Sequence, residues 1–263
     1  MKNSSKQLAR LTQTALFIGL ALALRSFSTM IFFFGAPGMR ISFSPIFTRL
    51  PALLFGPVMG GMAGGIVDVL GYILKPEGAY IPLMTLTAIL DGVLTGLVWK
   101  GISKAEPKKL QTALWVIFAL IGVMGGINMI STAFYPDSLI SRALEGVGKN
   151  KEFLESGLLV VAGVGILLLV LDIIARKVFP QARGHKYYIR VLIAYGVAGL
   201  VVTVLNTFIL QIFIPDLGKM GFIVFLMPRL VKEVFMMVIQ SYIAAFLISI
   251  YYRIAGPTLS QAG

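Results

Sequence analysis

Long uninterrupted apolar segments constrain this chain more than any other feature of its sequence. One such segment runs from Leu158 to Asp172 without the polar–apolar alternation of a barrel strand. Apolar residues make up 57% of the chain and charged residues 13%, whereas about 25% of a soluble domain is charged. The mean hydropathy is +0.89. The sequence therefore predicts an all-α integral membrane protein and excludes a water-soluble enzyme.

Hydropathy divides the chain into eight predicted spans, at about 8–34, 45–57, 58–75, 82–100, 112–135, 156–178, 189–214 and 221–253. The basic start of the chain continues into apolar residues without a small-residue cleavage site, so we expect the first span to be retained. Eight spans place both termini on one side of the membrane.

The charge balance orients these spans. The chain has 23 basic and 11 acidic residues, a net charge of +12. With the N-terminus inside, the cytoplasmic segments carry about twice as many basic residues as the outer loops, which is the expected bias. We therefore expect a multi-pass protein of the cell membrane with both termini cytoplasmic. The positive surplus then indicates contact with anionic lipid and no nucleic-acid partner.

Charged residues inside the predicted spans form the most informative pattern. Away from the span ends there are seven of them, Arg25, Arg49, Asp68, Asp91, Arg229, Lys232 and Glu233, while Asp172 lies near the inner end of span 6 and could reach the interface. In the predicted topology all seven lie between the midplane and the outer face. Intramembrane charges are costly and usually face a cavity or each other. Together with Arg40, just before span 2, the set has an excess of two positive charges. This predicts an outward-facing pocket for a polar, anionic solute.

Internal pairing is the alternative explanation for these charges. Arg229 and Glu233 are one helical turn apart and could satisfy each other. The excess of positive charge favours the pocket, because pairing alone would leave it unmatched.

Small residues recur at helical spacing in two places. Gly56-Pro57, followed by Gly60 and Gly64, predicts a tight turn and then a helix that packs closely inside the bundle. Span 1 carries a second ridge that includes Ala15 and Gly19. From its spacing alone, this ridge could serve internal packing or a partner protein.

No pattern of catalytic or metal-binding residues is present in the sequence. The chain has no cysteine and one histidine, His185, so neither a thiolate metal site nor a zincin motif can form. No phosphate-binding G-x-x-x-x-G-K-[ST] stretch occurs. We therefore expect no enzyme activity, no metal and no cofactor, and any ATPase that drives transport would be another chain.

Seven motifs follow one another along the chain. They are Met39-Arg40-Ile41-Ser42-Phe43, Leu54-Phe55-Gly56-Pro57-Val58-Met59-Gly60-Gly61, Gly65-Ile66-Val67-Asp68-Val69-Leu70-Gly71, Lys75-Pro76-Glu77-Gly78-Ala79-Tyr80, Thr85-Leu86-Thr87-Ala88, Leu205-Asn206-Thr207 and Pro228-Arg229-Leu230-Val231-Lys232. Together and in this order they resemble the substrate-binding S components of energy-coupling factor (ECF) vitamin transporters, most closely the folate-type branch. The resemblance covers roughly 8–104 and 188–254.

The resemblance implies a six-helix core interrupted by an insertion. Residues 1–109 would hold core helices 1–4, residues 110–187 an inserted helical pair with its loops, and residues 188–263 core helices 5–6. The whole chain would form one membrane domain. Asp91 is a departure, because the family pattern usually has a small or apolar residue at this position.

By the same resemblance, the chain would bind a vitamin with high affinity near the outer face. It would work with a membrane T component and two ABC-type ATPases, and Ala15 and Gly19 match the ridge that contacts the T component. Loops 35–44, 75–82 and 214–222 would cover the bound ligand.

The expected substrate-binding residues divide by chemistry. Arg40, Arg229 and Lys232 would contact carboxylates or polar ring atoms of a folate-like vitamin, since arginine can bind a carboxylate through two hydrogen bonds. Residues able to hydrogen-bond the heterocycle are Thr85, Thr87 and Asn206, and Asp68 would pair with a base or contact a ring amine.

Aromatic residues near the outer face could stack on a flat ring or belong to the interfacial belt; they are Phe32, Phe33, Phe34, Phe43, Phe47 and Tyr80. An ion-coupled secondary transporter of a small anionic solute remains the alternative function. Asp68, Asp91 and Glu233 would then be proton or cation sites.

Overall fold

The computed structural model describes residues 2–33, 36–145, 151–178, 185–219 and 221–254. The elements follow one another as α1 (Lys2–Ser26), β1 (Thr29–Phe33), β2 (Ala36–Ile41), α2 (Ser44–Phe55), α3 (Pro57–Leu74), α4 (Pro82–Ile102), α5 (Pro107–Phe134), α6 (Leu139–Glu145), α7 (Lys151–Val178), α8 (His185–Phe213), α9 (Pro215–Gly218) and α10 (Phe222–Ile254). The expected all-α membrane architecture is confirmed.

Proline sets the start of the helices that follow short connections. The first turns of α2, α3, α4 and α5 contain Pro45, Pro57, Pro82 and Pro107, respectively. This position suits proline because the first-turn N–H groups have no intrahelical acceptor. Gly56 joins α2 to α3 with a φ of 101°, a conformation that side chains disfavour. The predicted tight turn is therefore present.

Seven helices in the described part of the chain, rather than eight, are long and apolar enough to cross a membrane. They are α1, α3, α4, α5, α7, α8 and α10. The remaining predicted span, 45–57, corresponds to α2, which has only 12 residues. At 1.5 Å per residue α2 is about 18 Å long, well short of a bilayer core of about 30 Å. Most of its residues are buried by α1, α3, α4 and α10.

A β-hairpin replaces the end of the first predicted span. We expected span 1 to continue to residue 34, but α1 ends at Ser26 and the chain continues as β1 and β2. The strands pair antiparallel with Met30 opposite Arg40 and an irregularity after Ile31. The segment Thr29–Phe33 is rich in β-branched and aromatic residues, which favour strands as well as apolar helices.

Contacts between distant residues show which helix ends lie together. At one end, α1, α3 and α8 end where α2, α4 and α10 begin. There Lys75 Nζ donates to the Ser28 carbonyl at 2.6 Å, beside the hairpin. At the opposite end, the Phe55 ring at the end of α2 lies 6.1 Å from the Tyr251 ring near the end of α10, and the Tyr251 hydroxyl donates to Gln13 Oε1 of α1 at 2.9 Å. We call these the hairpin end and the terminal end.

Glycines let α3 and α4 pack at backbone contact. A Cβ at Gly64 would overlap the Ala88 carbonyl, and one at Gly92 would overlap the backbone of Gly60. These are fixed backbone atoms, so no side-chain rotation could relieve the clash. The small-residue face predicted for this helix thus serves packing inside the bundle.

Gly64→Ala should destabilise the protein by about 2 kcal/mol, because the added methyl group forces α3 and α4 apart. Gly126→Ala is the matched control, since nothing lies within 4 Å of a Cβ at that position of α5. Thermal unfolding in detergent, followed by the loss of monodisperse protein, compares the two variants. Equal unfolding temperatures for both would contradict the packing described here.

The helices α5 and α7 pack against each other at the side of the bundle. Only 6% of the most apolar stretch of α5 is buried inside the protein, so most of the surface of this helix faces outward. α7 also contacts α10, and Gly157 lies against the Met227 side chain. These helices correspond to the pair that the sequence places at 110–187.

Candidate functional site

A cavity of about 440 Å³ opens among the helices at the hairpin end. Residues from α1, α2, α3, α4, α8 and α10 line it, together with β2 and the connection from α3 to α4. The charged, polar and aromatic residues of its lining include Arg25, Arg40, Arg49, Asp68, Tyr72, Glu77, Tyr80, Thr87, Asp91, Asn206, Phe213, Arg229, Lys232 and Glu233.

All seven intramembrane charges predicted from the sequence line this one cavity. Arg40 joins them as expected. Glu77 is an additional acid that the sequence analysis did not assign to the pocket. The lining therefore contains five basic and four acidic side chains, so the excess is one positive charge instead of the two expected.

The mouth of the cavity is held by ion pairs around Glu77. Arg40 on β2 donates to Glu77 Oε2 through Nε at 2.9 Å and Nη2 at 2.6 Å. Lys75 Nζ lies 3.5 Å from Glu77 Oε1 and also donates to the Ser28 carbonyl. Glu77 thus ties the hairpin to the connection between α3 and α4.

Glu77→Gln should loosen the hairpin, because it replaces charge-assisted hydrogen bonds by weaker neutral ones. A loss of about 1 kcal/mol predicts amide hydrogen exchange about fivefold faster in β1 and β2. Glu106→Gln is the control, since this exposed acid pairs only with Lys109 beyond the end of α4. Unchanged exchange in the hairpin of Glu77→Gln would show that other contacts hold it.

Arg229 contacts the hairpin and forms no ion pair with the described acidic residues. Its Nη1 donates to the Gly38 carbonyl, and the guanidinium lies 5.0 Å from the centre of the Phe225 ring. Within the described ranges no carboxylate lies within 4 Å of Arg229, and its buried Nε has no hydrogen-bond partner. The alternative pairing with Glu233 is therefore not observed.

A cluster of buried charges forms the floor of the cavity, deeper in the bundle. Arg49 Nε donates to Asp91 Oδ2 at 2.7 Å and Nη2 to Oδ1 at 2.8 Å. Glu233 Oε1 lies 3.7 Å from Arg49 Nη2, and its Oε2 accepts from Lys232 Nζ at 3.1 Å. A Cβ at Gly199 would overlap the Glu233 carboxylate, so a larger residue there would displace this carboxylate.

Asp68 is anchored from two sides. Arg25 Nη1 donates to its Oδ1 at 3.3 Å and to the Val67 carbonyl at 3.1 Å. The Thr85 hydroxyl donates to its Oδ2 at 2.7 Å, and the Tyr80 hydroxyl lies 2.7 Å from Thr85. Thr85 itself is not among the residues that line the cavity. Its contact with the site passes through Asp68.

Thr87 and Asn206 meet across the cavity between α4 and α8. The Thr87 hydroxyl lies 2.6 Å from Asn206 Oδ1 and 2.8 Å from the Met84 carbonyl, to either of which it can donate. The Asn206 Nδ2 amide has no hydrogen-bond partner in the described part of the chain. This amide can therefore donate to a polar ring atom of a bound molecule.

Comparison with known proteins agrees with this architecture. Residues 9–141, about half of the chain, match the family "ECF transporter, substrate-specific component". The chain belongs to this family. The match begins in α1, includes the hairpin and α2 to α5, and ends in α6.

Two relatives extend the comparison of this ECF substrate-specific component. The chain is 33% identical to the "Folate transporter FolT" of Clostridium novyi (strain NT) over 87 residues. These aligned residues make up 33% of this chain and 50% of that protein. The "Uncharacterized protein in gap 3'region" of Pyrococcus woesei is 27% identical over 132 residues, 49% of this chain and 81% of that protein. The chain thus spans half the length of the folate transporter. No solved structure matches.

The aromatic wall of the cavity differs from the one expected for this ECF component. Tyr72, Tyr80 and Phe213 line the cavity, and the Tyr72 and Tyr80 ring centres are 5.0 Å apart. Tyr80 was expected from the sequence, but Tyr72 and Phe213 were not. The spacing of Tyr72 four residues after Asp68 could have indicated it, since such residues share a helix face.

The phenylalanines expected beside the ligand do not line the cavity. Phe32 and Phe43 are exposed, and Phe47 stacks on Phe17 with ring centres 6.4 Å apart. The Phe33 side chain and all of Phe34 lie outside the described residues. The exposed rings fit the interfacial-belt alternative.

The small-residue ridge of α1 faces outward from this ECF component. Ala15 and Gly19 are exposed, and nothing lies within 4 Å of a Cβ placed on Gly19. Internal packing therefore does not account for the ridge.

Proposed function

We propose that this chain is the high-affinity substrate-binding subunit of an ECF-type, ATP-driven vitamin importer, with folate or a related small vitamin as its substrate. The observation that carries the proposal is the cavity at the hairpin end, where four acids each have a basic partner and, among the described residues, Arg229 forms no ion pair. An anionic substrate would supply the missing partner.

A folate-like molecule matches the chemistry of the lining. Arg229, with Arg40 and Lys232 nearby, would contact a carboxylate, while Tyr72, Tyr80 and Phe213 offer apolar surface for a flat ring. Thr87 and Asn206 would hydrogen-bond the heterocycle. We assign Asp68 a role in positioning polar ring atoms, with Thr85 acting through it. The FolT relative supports this substrate class.

We propose that the cavity faces the outside of the cell and that both termini are cytoplasmic. The basic residues Lys100, Lys104, Lys108, Lys109 and Arg190 lie at or near the terminal end of the bundle, opposite the cavity. By the positive-inside bias, that end would lie in the cytoplasm. The hairpin and loops 75–82 and 214–222 would then close over the substrate from outside, although residue 220 lies outside the described ranges.

The energy source would be separate chains, a membrane T component and two ABC-type ATPases. We assign the exposed α1 ridge, with Ala15 and Gly19, to contact with the T component, because small residues let helices approach closely. Residues 1–109 and 188–263 would form the family core, and residues 110–187 an inserted helical pair.

Mass spectrometry of an acid extract tests the substrate. Protein purified in detergent from vitamin-replete cells should carry a stoichiometric folate or related compound. A different vitamin would retain the S-component function and reject the folate assignment. Stoichiometric recovery of a compound that is not a vitamin would reject both.

Uptake into vesicles tests the partner requirement. Vesicles that contain this chain alone should not accumulate the substrate, whereas vesicles with a T component and ATPases should do so when ATP is supplied. Uptake by the chain alone, abolished when the proton gradient is collapsed, would instead establish the ion-coupled alternative.

A further inference from the structure

The cavity offers a ligand two buried arginine donors in opposite electrostatic settings. Arg49 at the floor is neutralised by Asp91 and lies beside Glu233. Arg229 at the mouth has no carboxylate within 4 Å in the part of the chain that the structure describes. The two ends of the cavity therefore differ in local charge although each presents a guanidinium.

Arg49 is held in one orientation. Two hydrogen bonds join its Nε and Nη2 to the two oxygens of Asp91, and its guanidinium carbon lies 5.0 Å from the centre of the buried Tyr195 ring. The side chain is only 5% exposed, and its Nη1 is buried without a partner among the described residues. A buried donor left without an acceptor is costly, so an incoming acceptor at Nη1 would be favourable.

The neighbouring acids determine which acceptor suits Arg49. A carboxylate on the ligand would be attracted by Arg49 but repelled by Asp91 and Glu233 in a site of low dielectric constant. A neutral acceptor, such as a carbonyl oxygen or a ring nitrogen, gains the hydrogen bond without this repulsion. At Arg229 the preference is reversed, because within the described ranges no carboxylate forms an ion pair with it, and Glu233, one helical turn away, contacts Arg49 and Lys232 instead.

We infer that Asp91 makes Arg49 a recognition group for a neutral acceptor, so that the substrate carries its anionic group at one end only and binds with that end at Arg229. This inference rests on the proposed function for the choice of folate fragments as probes. It makes Asp91 a positioning residue that sets substrate orientation.

Two halves of folate test the inference by calorimetric titration of the full chain in detergent. 6-Hydroxymethylpterin carries a ring carbonyl and no carboxylate, whereas p-aminobenzoyl-glutamate carries carboxylates and no pterin. Asp91→Asn keeps the shape of the side chain and removes its charge. We expect it to weaken pterin binding about tenfold or more, about 1.4 kcal/mol, and to leave unchanged or strengthen binding of p-aminobenzoyl-glutamate.

General structural damage would weaken both probes, so an equal loss for the two would overturn the inference, as would no change for the pterin. The unaltered protein gives a second measurement that does not depend on folding of a variant. Saturation with one fragment should leave binding of the other intact, because they occupy opposite ends. Mutual displacement would contradict the assigned orientation.

If the substrate is not folate, the binding measurements give a result that differs from both outcomes above. The unaltered protein would then bind neither folate nor its halves, and the compound extracted from the purified protein decides the inference. One anionic end and a neutral acceptor at the other would support it. Anionic groups at both ends, or none, would overturn it.

Discussion

Arg49→Met is expected to destabilise the protein by about 3–5 kcal/mol, because it leaves two buried carboxylates without their shared counter-ion. Asp91 would lose both hydrogen bonds, and Glu233 would retain only Lys232. At about 3 °C for each kcal/mol in a chain of this size, the unfolding temperature in detergent should fall by about 10 °C. Size-exclusion chromatography after heating measures the change.

The double variant Arg49→Met/Asp91→Leu separates charge from packing. It removes both members of the bidentate pair, so it should recover most of the lost stability while the cavity floor becomes apolar. Arg253→Met controls for the loss of a positive charge, since Arg253 is exposed near the end of α10. If the double variant is as unstable as the single one, buried charge is not the cause.

Arg229→Gln should weaken binding of the substrate by about 100-fold or more while leaving the empty protein at least as stable. The loss of affinity follows from removing a buried, charged donor that an anion would use, which typically costs 2–5 kcal/mol. The unchanged or improved stability follows because the variant removes a buried charge that forms no ion pair in the part of the chain that the structure describes. Equilibrium dialysis with radiolabelled folate measures affinity, and thermal unfolding without ligand measures stability.

Arg142→Gln is the matched control for Arg229→Gln. Arg142 is exposed on α6 and lies 3.9 Å from Asp137, so its loss should change neither measurement. Arg229→Lys should retain part of the affinity, because lysine keeps the charge but not the two-pronged geometry. Full affinity in Arg229→Gln would remove Arg229 from the substrate site.

Intramembrane charge was the part of the site that could be predicted from the sequence. A charged side chain has few favourable positions in an apolar bundle. Because Arg25, Arg49 and Asp68 lie at similar predicted depths in their spans, the sequence already indicated that they share a cavity. Their partners could not be predicted in the same way. The Arg49–Asp91 bond depends on how α2 and α4 cross, and spacing along one helix does not contain that information.

The hairpin and α2 show the limit of hydropathy. Thr29–Phe33 is apolar enough to extend a predicted helix, and only the return of the chain through β2 shows that it forms a strand instead. In α2, apolar composition predicted a span, although its 12 residues reach only partway. Apolar composition predicts that a segment is shielded from water. It does not predict whether lipid or the rest of the protein provides the shielding.

The short length of α2 has a consequence for the electrical profile of the membrane. A helix of about 18 Å is about 12 Å shorter than a 30 Å hydrocarbon core. Arg49 of α2 and the other charged residues of the cavity lie inside the bundle beside this short helix, so in the proposed topology part of the membrane thickness there would be a polar path and not an insulator. An anion seated on Arg229 would have entered the membrane without leaving a polar environment, and the insulating barrier still ahead of it would be that of the remaining bundle alone.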